Sequence, residues 1–317
     1  MIVYITGCLG FIGSYVTELC LNNDWYVYGI DKCTYASNNN KIDYFKSFPR
    51  FKFEEKDICD IDRLIDCDYF INTAAETHVD NSIRKSDDFM HSNVMGVYNI
   101  LELLKNYRRD NSSTPVFFQF STDEVYGDIA NGVHTESDLL KPSNPYSASK
   151  AAADQLIIAW ARTYNFPYVI LRPTNNYGIG QYVEKLIPKS CKYLTLGRKI
   201  PLHDEGLPIR NWLHAKDTAS AVVEIIKSGN VNQIYNVASG FEQSNIETAQ
   251  KIIDNFFDSE QVNYMDHIDF KSLNRPGQDI RYALDDSKLR KLGWSPKCNF
   301  DDEIKGIVEY YKNNFIW

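Results

Sequence analysis

The run of ~18 apolar residues that a membrane span needs is missing from this chain, so no segment is expected to cross a bilayer. Before Thr6-Gly7 the only apolar stretch is Ile2-Val3-Tyr4-Ile5, too short for a secretion signal and without a basic start. The sequence therefore predicts a cytoplasmic protein. Basic residues are in deficit, 34 Lys and Arg against 42 Asp and Glu, for a net charge of -8. That argues against nucleic acid as a partner, but a few arginines can still build a local site for a small anion. The 6 histidines show no H-x-x-x-H or comparable ligand spacing, so no metal is expected. The 7 cysteines form no C-x-x-C pair, and an odd count suits free thiols in a reducing compartment. Internal repeats are absent, and Asn38-Asn39-Asn40 is the only hint of low complexity.

What is present is an ordinary soluble composition, 44% apolar and 24% charged. A length of 317 residues exceeds what one core usually supports and predicts a large domain with a smaller second one. Strand patterns at Ile2–Thr6, Tyr26–Ile30, Phe51–Glu54, Tyr69–Asn72, Val116–Phe120 and Tyr168–Leu171 alternate with helical spacing at Phe11–Leu21, 86–106 and 145–164. Alternation of this kind predicts an α/β fold, a Rossmann-like doubly wound parallel sheet. Beyond Pro173 loops are interrupted by short helices at Val183–Leu194 and Ile246–Phe257. Residues 1–172 are expected to form the first domain and 173–317 mainly a smaller mixed α/β domain. The stretch 212–237, with Ala219–Ile226 and Ile234–Val237, is expected to return to the first sheet.

Gly7, Gly10 and Gly13 stand at G-x-x-G-x-x-G spacing between the first strand and its helix, which Phe11 and Ile12 open. Glycines there allow a tight turn and let the backbone approach a pyrophosphate, whose charge a helix N-terminus favours. Asp31 ends the second strand, placed to accept hydrogen bonds from ribose hydroxyls and to repel a 2′-phosphate. The expected cofactor is therefore NAD rather than NADP, although the adjacent Lys32 pulls the other way. Asp57 and Ile58, after the third strand, are candidate adenine contacts.

Asp123 and Glu124 follow the apolar strand Val116–Phe120, and Tyr146 and Lys150 lie four apart on one predicted helix. Adjacent carboxyl groups at a strand's C-terminal end can serve one substrate as acid and base. An ammonium near a phenol favours the phenolate and lowers its pKa, so Tyr146 could take a hydroxyl proton while Lys150 holds the cofactor ribose.

These segments carry a resemblance over almost the full length. The chain is similar to the extended short-chain dehydrogenase/reductases, and within them to the nucleotide-diphosphoglucose 4,6-dehydratases. The similar segments are the glycine loop, Asp31 through Ala36, Ala74 through Asp80, Ser121 through Asp128, Pro145 through Lys150, Asn175 through Gly178, Glu184 through Pro188, Asn274 through Gly277 and Leu292-Gly293-Trp294. The resemblance implies a three-stage reaction. Tyr146 takes the C4 hydroxyl proton as NAD takes the hydride. Glu124 removes the C5 proton, and Asp123 protonates the departing C6 hydroxyl. The hydride then returns to C6, while Thr122 steadies the C4 oxygen. It also implies that Ala74 touches the cofactor and that His78, Thr122, Asn176, Glu184, Lys185, Leu186, Arg210, Asn236 and Arg275 meet the nucleotide sugar, the two arginines at its diphosphate.

Some positions depart from the family. Asn72 stands where histidine is usual, Ile179 where proline follows Tyr-Gly, and Pro201-Leu202-His203 where Pro-Ile-Tyr is common. His203 and residues 284–289 look closer to a uridine branch, Lys32 through Ala36 to a thymidine branch. A 4-epimerase would share the fold, cofactor, Tyr146 and Lys150 but has no use for an acid–base pair that expels water. A non-catalytic dinucleotide sensor would tend to lose Tyr146 or Lys150. The resemblance further implies a homodimer built on helices 86–106 and 145–164, whose outer faces carry Tyr98, Leu103, Leu156 and Trp160.

Overall fold

A parallel strand covered by helices on both faces reads as an unbroken apolar run. Val3-Tyr4-Ile5, Phe117-Phe118 and Val169-Ile170-Leu171 are such runs, all buried. In the computed structural model, which describes residues 1–110, 114–259, 262–270 and 276–314, they lie within β1 (Ile2–Thr6), β5 and β6 of an ordered series. The intervening and following strands are β2 (Tyr26–Asp31), β3 (Phe51–Glu55), β4 (Tyr69–Asn72), β5 (Val116–Phe120), β6 (Tyr168–Pro173), β7 (Asn175–Tyr177), β8 (Ile200–Pro201), β9 (Ile209–His214), β10 (Gln233–Val237), β11 (Glu242–Ser244) and β12 (Ile268–Asp269). Seven of them form one sheet in the order β10-β6-β5-β4-β1-β2-β3, every neighbouring pair parallel. This is the Rossmann-like doubly wound sheet that the alternation predicts. The order reverses between β1 and β4, and ligands of such sheets sit in the crevice above that reversal, outside the strands' carboxyl ends.

The reversal is built from polar side chains. Thr6 Oγ1 donates to Asn72 Oδ1 at 2.5 Å, and Asn72 Nδ2 donates to Gln119 at 2.8 Å. These three residues, from β1, β4 and β5, are fully buried, so Asn72 braces the crevice floor from below.

The helix expected over 86–106 is not uniform. Asp87–Phe89 and Gly96–Asp110 are α-helical, and Met90–Met95 between them is π-wound. The wider turn has a local use. It turns buried Asn93 toward the cleft wall, where Nδ2 donates to the Glu76 carbonyl and Ser149 Oγ, and Oδ1 accepts from the Glu76 amide, all at 2.9 Å.

Of the 212–237 stretch, helix Ala215–Ser228 packs on helix Phe11–Asn22 and β10 forms the edge of the large sheet beside β6. Trp212–His214 instead end β9, the middle strand of a separate sheet ordered β11-β9-β7. Helices Asn245–Phe257 and Phe300–Asn313 pack with that sheet, and helix Leu186–Thr195 packs on both of them and on β8. Together they enclose a second apolar cluster that includes Tyr177, Cys191, Trp212, Ile252, Phe300 and Tyr311. No described helix is long and apolar enough to cross a membrane.

Candidate active site

The glycine loop is shaped by exclusion. Gly7 has φ +70°, and a Cβ on it would lie 2.6 Å from the Ala74 amide nitrogen. A Cβ on Gly13 would lie 2.0 Å from the Gly7 carbonyl. The loop thus closes tightly against the start of helix Phe11–Asn22 and leaves a groove lined by Gly7, Gly10, Phe11, Ile12 and Gly13. A backbone cradle at a helix N-terminus fits a pyrophosphate.

The groove continues past Asp31, Lys32, Asp57, Ile58 and Ala74. Asp31 accepts from the amides of Leu9 (3.0 Å) and Cys33 (2.9 Å) and from Ser37 Oγ (2.7 Å). Three donors already occupy its roughly four acceptor sites, so Asp31 builds the loop as well as facing the ligand. Lys32 is already engaged: its Nζ donates to Ser92 at 3.0 Å and lies 3.5 Å from Asp57 and 3.9 Å from Glu76. Two carboxylates offset its charge, which removes the cation that a 2′-phosphate would need. The same corner brings ligand-type atoms of Asp57, Cys59 and His91 within 4.8 Å of one another, a grouping that sequence spacing did not suggest, with the Lys32 ammonium already on Asp57.

At the C-terminal end of β5 the chain makes one short turn, Asp123–Tyr126, capped by Thr122, whose Oγ1 accepts from the Glu124 amide at 3.3 Å. The turn presents both carboxyl groups to the crevice. Asp123 is 3% exposed; Thr122 donates to its Oδ1 at 3.1 Å, and its Oδ2 has no partner among the described residues. Burial, then the neighbouring Glu124, push its pKa up to about 8. Asp123 is therefore a neutral acid at pH 7. Glu124 is half-buried and also raised by burial, but Arg210, Lys185 and a hydrogen bond from Asn144 pull it back.

Helix Pro145–Tyr164 starts on a capping box. Asn144 Oδ1 accepts from the Ser147 amide at 2.9 Å, Ser147 Oγ takes the Asn144 amide at 3.2 Å, and proline fills the first helical position. The cap fixes Tyr146 in the first turn, facing the acid–base turn, and Lys150 one turn later. Both are buried. The Tyr146 phenol is raised, by burial first and then by Glu124 and Asp123, with a Thr122 hydrogen bond opposing them. This differs from the lowering by Lys150 that the spacing predicts. The Lys150 ammonium donates instead to the Phe120 carbonyl, and burial lowers it to about 8.

A second cleft meets the first at Glu124 and is lined by His78, Asn176, Glu184, Lys185, Leu186 and Arg210. Arg210 is held from behind, donating to the carbonyls of Ile209 (2.7 Å) and Asp279 (3.0 Å) with its guanidinium 4.7 Å from the Tyr282 ring. Lys185 donates to the Thr77 carbonyl at 2.9 Å and lies 3.4 Å from Glu184. His78 sits 3.6 Å from Glu184, and burial lowers its pKa. Asn176 accepts from Thr218 at 2.6 Å and donates to the Thr174 carbonyl at 2.9 Å.

Asn236 is not brought to this cleft, contrary to the sequence expectation. It is fully buried; its side chain accepts from Tyr126 at 2.8 Å and donates to the carbonyls of His134 (3.1 Å) and Asp285 (3.2 Å). With every side-chain group satisfied inside the protein, it braces the acid–base turn. Arg275 lies outside the described residues. Sequence reasoning missed Asn144, Gln181, Lys189 and Tyr282, which also line the cleft. The Asn-Pro pair ahead of Tyr146 was a readable signal for Asn144. The other three come together only through the fold.

The family model described as GDP-mannose 4,6 dehydratase matches residues 4–307. The low-salt glycan biosynthesis protein Agl12 of Haloferax volcanii is 39% identical over 316 residues, 98% of each chain. The dTDP-glucose 4,6-dehydratase of Haemophilus influenzae is 36% identical over 333 residues, covering 99% of this chain and 98% of its own. The crystal structure of DesIV, a dTDP-glucose 4,6-dehydratase from Streptomyces venezuelae with NAD bound, superposes with a TM-score of 0.90 at 33% identity, over 99% of this chain and 98% of that one.

Proposed function

We propose, from the premise that the chain belongs to the GDP-mannose 4,6 dehydratase family and is an NAD-dependent nucleotide-sugar 4,6-dehydratase, that its substrate is dTDP-D-glucose or UDP-D-glucose. The product is the 4-keto-6-deoxy sugar, and water leaves. The observation that carries this is the turn Asp123–Tyr126, which sets an acid whose pKa is pushed up to about 8 beside a second carboxyl group that faces two cations, Arg210 and Lys185. An epimerase inverts C4 without expelling a hydroxyl and needs no such acid.

Gly7, Gly10, Phe11, Ile12 and Gly13 hold the cofactor pyrophosphate, Asp31 and Lys32 its ribose, and Asp57, Ile58 and Ala74 its adenine end. NAD held there would supply the acceptor for the C4 hydride and the donor that returns it to C6, and its ring cation would offset the charge of the carboxyl groups beside the Tyr146 phenol. Tyr146 takes the C4 hydroxyl proton, and Thr122 hydrogen-bonds the C4 oxygen. Lys150, whose ammonium donates to the Phe120 carbonyl, would turn a second N–H to the nicotinamide ribose. Once C4 is a ketone the C5 proton is acidic, and Glu124 removes it. Asp123, protonated at neutral pH, gives its proton to the C6 oxygen, which leaves as water. Arg210 and Arg275 clamp the diphosphate, and His78, Asn176, Glu184, Lys185 and Leu186 line the rest of the nucleotide sugar's bed.

The enzyme works in the cytoplasm as a homodimer. Tyr98 is 39% and Met95 51% exposed beside half-buried Leu103, Leu156 and Trp160, an apolar strip along two neighbouring helices. Sedimentation as a monomer at micromolar concentration would refute the dimer. The reaction is tested by incubating the protein with dTDP-glucose and UDP-glucose separately. A product lighter by one water, absorbing in alkali as a keto-sugar, is expected from one of them. A sugar merely inverted at C4 would overturn the assignment.

A further inference from the structure

Beneath the catalytic residues lies a charged pair that the chemistry above does not use. Asp154 is 0% and Arg172 2% exposed. Arg172 Nε and Nη2 both reach Asp154 Oδ2, at 3.0 and 2.9 Å, and Ser121 Oγ donates to the same oxygen at 3.0 Å. The other oxygen, Oδ1, is buried with no hydrogen-bond partner among the described residues. Asp154 is four residues beyond Lys150 on helix Pro145–Tyr164, so the two share a helix face. Arg172 Nη1 also donates to the Tyr126 hydroxyl at 2.8 Å. The pair thus joins three elements: the helix of Tyr146 and Lys150, strand β6, and the turn of Asp123 and Glu124.

A buried ion pair alone is weak evidence of stabilisation, because desolvating two charges offsets most of their attraction. What distinguishes this one is its asymmetry. Three donors crowd one oxygen and leave the other bare. A bare, fully buried carboxylate oxygen is costly, unless its charge serves a neighbour. The neighbour that needs it is Lys150, an amine that burial drives toward neutrality. We infer that Asp154 is a positioning residue for Lys150: Arg172 and Ser121 fasten one carboxylate oxygen, so that the negative charge stays one helical turn below the amine and keeps it protonated toward the cofactor ribose.

The electrostatics agree in direction. Burial lowers Lys150, and Asp154 is the charge that raises it; burial in turn raises Asp154, and Arg172, the Ser121 hydrogen bond and Lys150 oppose that rise. The titratable groups that face Asp154 are Arg172 from β6, Lys150 from its own helix and Tyr126 from the turn. The sign follows: removing the Asp154 charge makes Lys150 lose its proton at lower pH, so function that needs the ammonium fails earlier as pH rises.

The inference rests on the dehydratase reading, and its test separates the two. In a Glu124→Gln background elimination stops after oxidation, so bound NADH formed on adding the nucleotide sugar reports Lys150 without Asp123. If that background forms no NADH, the reading of the reaction fails. If it does, adding Asp154→Asn is expected to move the pH of half-maximal NADH formation down by at least one unit while nearly restoring the rate at pH 6. NADH fluorescence titration is expected to show affinity falling over the same shifted range. Asp154→Glu keeps the charge and is expected to leave both curves within about 0.3 unit of the parent. A limb unmoved by Asn, a loss equal at all pH values, or a Glu variant shifted like Asn would overturn the inference. Should Asp154→Asn not fold, Arg172→Lys loosens the forked hold and frees the carboxylate for Lys150. The curves then move to higher pH, and no movement would be equally fatal.

Discussion

Asp123 and Glu124 are adjacent in sequence and unlike in surroundings. One Asp123 oxygen is buried without a partner among the described residues and the group is pushed up to about 8, while Glu124 is raised by burial, with Arg210, Lys185 and a hydrogen bond from Asn144 opposing that rise. One turn of backbone, capped by Thr122, therefore holds a proton donor and a proton acceptor side by side. Expelling a hydroxyl beside a ketone needs both at once.

The pH dependence of dehydration follows from this. A carboxyl whose pKa is raised to about 8 keeps its proton below that pH and loses it above. Dehydration should therefore hold through neutral pH and decline on the alkaline side. Asp123→Asn removes the proton and keeps the shape. It should cut kcat for water loss by about 10²- to 10⁴-fold while cofactor reduction on adding substrate persists. A dehydration rate in this variant equal to the parent's would remove Asp123 from the chemistry.

Glu124→Gln should separate the same two stages by removing the base instead of the acid. Oxidation at C4 needs Tyr146 and Lys150, not Glu124. The variant should accumulate reduced cofactor with the nucleotide sugar, seen as NADH absorbance, and release no 4-keto-6-deoxy product. Normal turnover would show that some other group takes the C5 proton.

The sheet was legible because both faces of its strands are buried, which writes them as apolar runs such as Phe117-Phe118 in β5. The glycine loop and the pair Tyr146 and Lys150 were legible because their spacing is local. What escaped was non-local. The π-wound segment Met90–Met95 breaks no apolar pattern, and its purpose, the contacts of Asn93 with Glu76 and Ser149, joins residues far apart in the chain. The raised Tyr146 phenol escaped for the same reason. Spacing puts Lys150 on its helix face, but spacing cannot show that the ammonium is turned to the Phe120 carbonyl. Asn236 was assigned to the cleft by resemblance alone, and only its three buried partners show where it points.

The glycine loop predicts a binding defect without a folding defect elsewhere. A Cβ on Gly13 would come within 2.0 Å of the Gly7 carbonyl, so Gly13→Ala must push the loop outward from the helix start. Cofactor affinity should fall at least tenfold, about 1.4 kcal/mol, and the purified protein should carry less NAD. An unchanged NAD content, measured by release on acid denaturation, would show that the cofactor does not lie in this cradle.

Asn236 and Asn176 should respond differently to the same substitution. Asn236→Ala strips partners from the Tyr126 hydroxyl and from the carbonyls of His134 and Asp285. Unsatisfied buried groups of this kind cost about 1–3 kcal/mol, which for a chain of this size lowers Tm by several degrees. Because Asn236 does not face the cleft, KM for the nucleotide sugar should stay close to the parent value. Asn176 lines both clefts, so Asn176→Ala should raise that KM. If Asn236→Ala instead raises KM at unchanged Tm, its side chain must leave the buried network and meet substrate, and bracing the acid–base turn would not be its role.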